Sequence, residues 1–174
     1  YEIRLSLVGS EMCIRDSAGN LQVFRSSITA SGISSPSLAA IVIIPGNVSN
    51  GQGDLEISPQ GDKIAIADLA TVGINHDVVI LNLDLASGNL TSQRWINNPT
   101  NFIYSCEFSP DGQRLYMARS GTSAVGNELY NVAVPVSNYT IVASDVVAVA
   151  LVPGLINLEV GYDGYLYFNK GNYN

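Results

Sequence analysis

Short apolar runs alternate along this chain with turns that are rich in glycine, proline, asparagine and aspartate. The clearest case lies between Cys106 and Ala118, where two β-prone apolar segments flank the turn Ser-Pro-Asp-Gly. Pro110 fixes the φ angle that a type I turn requires, and Gly112 can adopt the left-handed conformation that closes a hairpin with a bulge. This stretch therefore predicts a β-hairpin.

The same hairpin pattern occurs three times at a nearly constant spacing. The turn glycines Gly61, Gly112 and Gly164 are 51 and 52 residues apart, and a glutamate lies five residues before each of them. A period of about fifty residues that carries about four short strands is typical of β-propeller blades. The residues that define the predicted turns are Pro59, Gly61, Pro110, Asp111, Gly112, Asp163 and Gly164.

We predict an all-β chain that forms part of a β-propeller, with two complete four-stranded blades flanked by two partial blades. The pattern of apolar runs gives blade 1 strands at residues 21–25 and 39–44. It gives blade 2 strands at 54–57, 63–68, 78–83 and 90–96, and blade 3 strands at 103–108, 114–119, 128–132 and 145–151. Blade 4 has strands at 155–160 and 165–169, and the pattern does not assign residues 135–144.

The first residues do not fit the repeat. The position 51 residues before Gly61 is Ser10, and no Ser-Pro-Asp-Gly turn surrounds it. The eleven residues from Ser6 to Asp16 resemble the peptide that results when a sequencing adapter is translated in frame. We therefore predict that residues 1–17 are not part of the fold and that residues 18–174 form the propeller fragment. The leader is expected to be irregular, or a poorly packed extension beside residues 21–25; the alternative is an ordinary N-terminal strand.

Composition narrows the functional classes. The chain is 47% hydrophobic and only 13% charged, which argues against a disordered chain. Its net charge of −7 argues against nucleic-acid binding and against docking on an anionic membrane. Since no apolar run approaches the roughly twenty residues of a membrane helix, no membrane insertion is predicted. Low charge with abundant serine, asparagine and glycine favours an extracellular β protein.

Glu56, Glu107 and Glu159 form the one ionisable position that recurs in every hairpin. The first strand of each propeller blade lines the central channel, so these three carboxylates are expected to converge there. We predict that they are solvated at the channel mouth or hydrogen-bonded between blades, and that no metal or other cofactor is bound. The alternative is a Ca²⁺ site, because convergent oxygen ligands suit a hard cation.

Other residues with chemical potential have simpler interpretations. Cys106 is predicted to be a buried apolar thiol that does not pair with Cys13 of the leader, and His76 is predicted to be solvent-exposed in a polar loop. Trp95 and Tyr104 are expected to pack against neighbouring blades rather than to form a sugar platform. The sequence shows no serine nucleophile elbow, phosphate loop or zinc-ligand cluster.

The repeated segments also resemble a known family. Residues 57–67, 79–88, 107–116 and 158–167 resemble the propeller repeats of large Bacteroidota surface proteins that usually carry a gliding-motility or type IX secretion sorting domain. The resemblance implies a secreted or cell-surface bacterial protein, in which this segment is a non-enzymatic scaffold or binding module. Its implied partners are a protein or glycan ligand and the remaining blades of a longer chain. The Ser-Pro-Asp-Gly element also occurs in lactonase-like propellers, so a fragment of a lactonase-like hydrolase is the alternative.

Overall fold

The computed structural model of this protein describes residues 13–15, 21–42, 53–68, 78–97, 102–120, 128–147 and 155–170. These residues form mostly antiparallel β-sheets, and the one helical element among them is the short 3-10 turn Ala143–Asp145. The successive sheets correspond to the four predicted blades, so the all-β class predicted from the sequence is confirmed.

Blade 1 begins with β1 (Cys13–Arg15) and β2 (Leu21–Arg25), continues through a hairpin of β3 (Ile28–Thr29) and β4 (Gly32–Ile33), and ends with β5 (Ser37–Val42). Its sheet has the order β1–β2–β5. The strand predicted at residues 21–25 is confirmed. The next predicted strand begins two residues earlier than expected, and the small hairpin between them was not predicted.

The leader contributes one described strand to this sheet. In β1, Cys13 lies opposite Val23 and Arg15 lies opposite Leu21 of β2, in antiparallel register. This pairing fits an extension beside residues 21–25 and equally fits the alternative of an ordinary N-terminal strand, and it does not fit a leader that lies wholly outside the fold. The rest of residues 1–17 lies outside the described residues, and the adapter-like origin of the leader stays a prediction.

Blade 2 is a complete antiparallel meander. It consists of β6 (Gly53–Ile57), β7 (Lys63–Asp68), β8 (Val78–Asp84) and β9 (Asn89–Asn97), with each strand paired to the next. All four predicted strands are confirmed to within one residue at each end. Valine, isoleucine and leucine dominate its two central strands because both faces of these strands are buried.

Blade 3 repeats this arrangement with one irregular connection. Its sheet contains β10 (Phe102–Phe108), β11 (Arg114–Ser120) and β12 (Leu129–Ala133), and its fourth strand is β14 (Val146–Val147). The connection between the last two contains β13 (Tyr139–Thr140), which pairs with β9 of blade 2 rather than with its own blade. The fourth strand was predicted at 145–151, but residue 145 ends the 3-10 turn, and residues 148–151 lie outside the described part.

Blade 4 is a two-stranded sheet of β15 (Leu155–Val160) and β16 (Leu166–Lys170), as predicted to within one residue. Its turn is one residue shorter than the other two, because Val160 pairs with Leu166 whereas Ile57 pairs with Ile64 across a longer loop. The loop of blade 4 lacks one of the residues that follow the turn glycine in the other two turns. β16 still pairs with β15 in antiparallel register.

Glycine determines the geometry of all three hairpin turns. Gly61, Gly112 and Gly164 have φ angles of 72°, 68° and 81°, a region in which residues with a Cβ are strained. In each turn the glycine N–H donates to the carbonyl oxygen three residues earlier, at distances of 2.7, 2.8 and 3.0 Å. The predicted role of the three glycines is therefore confirmed.

The hydrophobic core lies between the blades rather than within them. Val23 and Val42 of blade 1 pack against one face of blade 2, and the opposite face of blade 2 packs against Cys106 and Phe108 of blade 3. Leu158 of blade 4 then packs on the far face of blade 3. Because side chains alternate along a strand, each sheet can bury one face against the preceding blade and the other against the following blade.

Candidate functional site

The first strands of blades 2, 3 and 4 bring three carboxylates together. Glu56 on β6, Glu107 on β10 and Glu159 on β15 each offer an oxygen atom that lies within 4.8 Å of the other two. Each glutamate occupies the same position before its turn glycine, and its side chain points to the same side of its blade. The repeat therefore brings one carboxylate from each of these three blades into a single cluster. We call these three residues the carboxylate cluster.

The surroundings of the carboxylate cluster favour the neutral form of two of its members. Burial raises the pKa of Glu56 to about 9, and the negative charges of Glu107, Asp54 and Glu159 add to this effect. Burial also raises the pKa of Glu107 to about 8, with further contributions from Glu159 and Asp54. Both side chains are partly buried, whereas Glu159 is exposed. At neutral pH, Glu56 and Glu107 therefore retain their protons.

A proton bound to Glu56 has a direct structural use. The protonated Glu56 donates a hydrogen bond to Glu107, which raises the pKa of the donor and lowers that of the acceptor. This bond joins blade 2 to blade 3. Among the described side chains, Oε2 of Glu107 is buried and makes no hydrogen bond. The pair therefore links two blades but leaves one carboxyl oxygen unsatisfied.

A second polar link runs beside the carboxylate cluster and joins three blades. Ser105 Oγ of blade 3 donates to Asp54 Oδ2 of blade 2 at 2.6 Å. The same hydroxyl oxygen accepts a hydrogen bond from the backbone N–H of Leu158 in blade 4 at 3.1 Å. Ser105 is fully buried, so its partners replace the water that this hydroxyl group would otherwise bind. Burial raises the pKa of Asp54, and the bond from Ser105 opposes that shift.

The three-blade link was not predicted from the sequence, although the sequence contains a signal for it. Asp54, Ser105 and Asn157 each lie seven residues before a turn glycine, on a strand whose neighbouring positions are apolar. Ser105 is buried and Asp54 partly buried, whereas Asn157 is exposed. A polar residue that recurs at one position of otherwise apolar strands indicates a hydrogen bond between blades. The three residue types differ, and for that reason they did not stand out as the glutamates did.

The carboxylate cluster has the composition of a cation site but not its charge state at neutral pH. Ca²⁺ generally takes about six to eight oxygen ligands, most of them ionised or carbonyl oxygens. A cation would have to displace the protons of Glu56 and Glu107 and break the bond between them. The hydrogen bond between Glu56 of blade 2 and Glu107 of blade 3 thus forms without a bound cation.

The structure places the remaining sequence candidates as follows. Cys106 is a free, fully buried thiol, and burial raises its pKa well above the ordinary value, so it is an inert core residue. Trp95 is buried against blade 1, in agreement with its predicted packing role, and Tyr104 is half-buried. His76 lies outside the described residues, as does the side chain of Cys13. No helix in the described part is long and apolar enough to cross a membrane.

Comparison with known proteins identifies the architecture. No family model and no curated protein matches the chain. Solved structures do: the periplasmic gluconolactonase PpgL of Pseudomonas aeruginosa has a TM-score of 0.58 and 19% identity over 88% of this chain and 44% of its own. The PQQ domain of pyranose dehydrogenase from Coprinopsis cinerea has a TM-score of 0.55 and 14% identity over 90% of this chain and 42% of its own.

Both of these proteins are β-propellers, and at this level of identity the likeness concerns the fold. The chain is therefore part of a β-propeller, as its repeat predicted. It spans less than half the length of either protein.

Proposed function

We propose that this chain is a non-enzymatic propeller segment that serves as a scaffold and binding module in a secreted or cell-surface bacterial protein. The observation that carries the proposal is the way in which polar groups beside the carboxylate cluster bond to one another across blade boundaries. Glu56 bonds to Glu107, and Ser105 bonds to both Asp54 and Leu158. These groups are engaged in holding blades together, which is the task of a scaffold.

The location outside the cytoplasm has two supports. One of the structurally similar propellers is a periplasmic protein, and the repeats resemble those of Bacteroidota surface proteins. The low charge and the abundance of serine, asparagine and glycine agree with this location. In such a protein the partners of this segment are the neighbouring blades and a protein or glycan ligand.

A lactonase-like hydrolase is the second candidate. It is favoured by the fold shared with a gluconolactonase and by three carboxylate oxygens within 4.8 Å of one another. Metal-assisted hydrolysis requires a cation with an open coordination position. The protons held by Glu56 and Glu107 oppose such a cation at neutral pH.

The two candidates are separated by a hydrolysis assay with gluconolactone at neutral pH, with and without added Ca²⁺. The purified chain is compared with Glu107→Gln, which keeps the side-chain shape but cannot ionise. We expect both proteins to give the uncatalysed rate. A Ca²⁺-dependent rate that Glu107→Gln abolishes would contradict the scaffold proposal and establish the hydrolase.

A stability measurement tests the scaffold role directly. Ser105→Ala removes the hydroxyl that links three blades and leaves Asp54 Oδ2 and the Leu158 N–H without this partner. Losing a buried hydrogen-bonding group costs about 1–3 kcal/mol, so the denaturant midpoint is expected to fall clearly. An unchanged midpoint would show that the link does not hold the blades together. Ser137→Ala, at an exposed position, is the control.

A further inference from the structure

The outer strand of blade 2 presents an edge that a foreign strand could pair with. β9 is the last strand of its meander, and an unprotected edge of this kind exposes backbone N–H and C=O groups. Its first half is distorted: Ser92 has a φ of 56°, and the register with β8 shifts between Ile80 and Asn82. Such a bulge hinders regular pairing. The second half, from Trp95 to Asn97, is covered in a different way.

A segment of blade 3 covers the second half of this edge. In β13, Tyr139 lies opposite Ile96 and Thr140 lies opposite Asn97, in parallel register. The Ile141 N–H donates to the carbonyl oxygen of Asn97 at 2.9 Å. Just before β13, Asn138 Oδ1 accepts a hydrogen bond from the Trp95 N–H, also at 2.9 Å. The edge of blade 2 is thus hydrogen-bonded to a connection that belongs to blade 3.

Both ends of the connection are attached to blade 3. At its start, the Val134 N–H donates to the carbonyl oxygen of Gln113, which precedes β11. At its end, Asp145 Oδ2 accepts hydrogen bonds from Tyr139 Oη at 2.9 Å and from the Val142 N–H at 2.8 Å, and β14 follows directly. Between these points the Ile141 side chain is buried in the core shared by blades 2 and 3.

We infer that residues 135–145 act as a clasp: they close the outer edge of blade 2 and make that edge open together with the outer strand of blade 3. The clasp pairs with only two residues of β9, so its closure depends on the side chains of Asn138, Tyr139, Ile141 and Asp145. A two-residue pairing alone would be too short to persist in water. The clasp therefore exists because core packing and side-chain bonds fix its two ends.

Native-state hydrogen exchange on the full chain tests this coupling. Asn138→Ala removes the acceptor of the Trp95 N–H at one end of the clasp. We expect exchange about tenfold faster both at Trp95 in blade 2 and at the Leu129 and Val147 amides of blade 3, which lie opposite each other on β12 and β14. Ser137→Ala, next to the altered residue and exposed, should leave both rates unchanged. Faster exchange at Trp95 alone would overturn the inference.

A milder substitution keeps the test decisive if Asn138→Ala unfolds the chain. Tyr139→Phe retains the ring that packs on the core but loses the bond to Asp145. We expect a several-fold increase in exchange at Ile141 and at Leu129 and Val147 of blade 3 together with Trp95, while amides of β7 keep their protection. An increase confined to residues 139–145 would show that the segment is a local cover that does not couple the blades.

Discussion

At the scale of single residues, the repeat produces an unusual electrostatic arrangement. A glutamate at an identical position in each blade is unremarkable in one hairpin, but blade packing places three such carboxyl groups within 4.8 Å. Like charges this close cannot all remain ionised in a partly buried site. The molecule accommodates them by keeping protons on Glu56 and Glu107. These protons make the stability of the fold depend on pH.

The sign of this dependence follows from the direction of the pKa changes. Below about pH 4.5, the ordinary value for glutamate, both the folded and the unfolded chain hold the proton of Glu56. Between that value and about pH 9, the unfolded chain has lost the proton while the folded chain retains it. The folded state then binds more protons, so the free energy of unfolding decreases as the pH rises through this window and levels off above it.

We therefore predict that Glu56→Gln stabilises the protein at pH 8 and leaves its stability nearly unchanged at pH 4.5. The amide of the variant cannot ionise, so the decrease in the free energy of unfolding that the wild type shows with rising pH is absent. After allowance for partial solvent access and coupling to Glu107, the expected gain at pH 8 is about 1–2 kcal/mol. Urea unfolding at both pH values measures it, with Glu128→Gln outside the cluster as the control. Equal stability of wild type and variant at pH 8 would contradict the proton assignment.

The same protons predict the response to calcium. A ligand that binds only the folded state raises the melting temperature. Because Ca²⁺ must first displace protons from Glu56 and Glu107, we expect no shift with millimolar Ca²⁺ at pH 7. Differential scanning calorimetry with Ca²⁺ and with EDTA provides the measurement. A rise in melting temperature that Glu107→Gln abolishes would instead identify the carboxylate cluster as a cation site.

At the scale of elements, the hairpin turns combine a local and an interblade function. Gly112 has a positive φ and also lies against the turn of the preceding blade: a Cβ on it would clash with Gln60 Oε1. Gln60 Nε2 in turn donates to the carbonyl oxygen of Asp111 at 3.0 Å, so the turns of blades 2 and 3 are joined. Gly164 has the same backbone conformation, but no atom of the described residues lies within 4 Å of its Cβ position.

These two glycines allow backbone strain to be separated from the contact between turns. Gly164→Ala should cost about 1–2 kcal/mol from left-handed strain alone. Gly112→Ala should cost about 1 kcal/mol more, because Gln60 must move and its hydrogen bond is lost. In a Gln60→Ala background this difference should disappear, which denaturant titration of the four variants can measure. A difference that persists would mean that another contact of Gly112 is responsible.

The sequence predicted the elements that local rules determine and missed those that depend on tertiary packing. The strands next to Gly61, Gly112 and Gly164 were located because the turn residues fix where each strand starts and ends. The two-residue strand β13 could not be predicted, since its pairing depends on a neighbouring blade 43 residues away in sequence rather than on its own pattern. The convergence of the glutamates was expected from their period, but their protonation depends on burial that only packing shows.

At the scale of the whole molecule, each blade is stabilised by the next one. The core clusters lie between adjacent sheets, so an internal blade has both faces covered. The described strand of the leader, β1, pairs with β2 in a ladder along three residues, Cys13 to Arg15.

Deleting residues 1–17 tests the status of the leader. We expect the denaturant midpoint to change little, because a three-residue ladder contributes about as much as its own backbone ordering costs, roughly 1–2 kcal/mol per residue. The unfolding transition should stay cooperative, and circular dichroism should retain the β signal. Loss of cooperative unfolding, or a large fall in midpoint, would show that the leader belongs to the domain and that its adapter-like interpretation is wrong.

The outward face of blade 4 provides the last prediction. Glu159 and Tyr167 lie opposite each other on β15 and β16, whereas Leu158 on the other face is buried against blade 3. Tyr167 therefore points away from blade 3. It lies on the face of blade 4 that a following blade would cover, and it is 53% exposed. Tyr165, two residues earlier in the chain, is 69% exposed. A contiguous aromatic face of this kind favours association.

We predict that residues 18–174 alone are oligomeric or prone to aggregation at micromolar concentration, because neither end of the blade array is covered by a further blade. At the other end, Leu38 and Ile41 of blade 1 are each 48% exposed. Tyr167→Asp should reduce the association measured by multi-angle light scattering, whereas Tyr162→Asp, in the turn and 95% exposed, should not. A monodisperse monomer for residues 18–174 would mean that four blades of this fold, two of them partial, need no neighbour to cover their end faces.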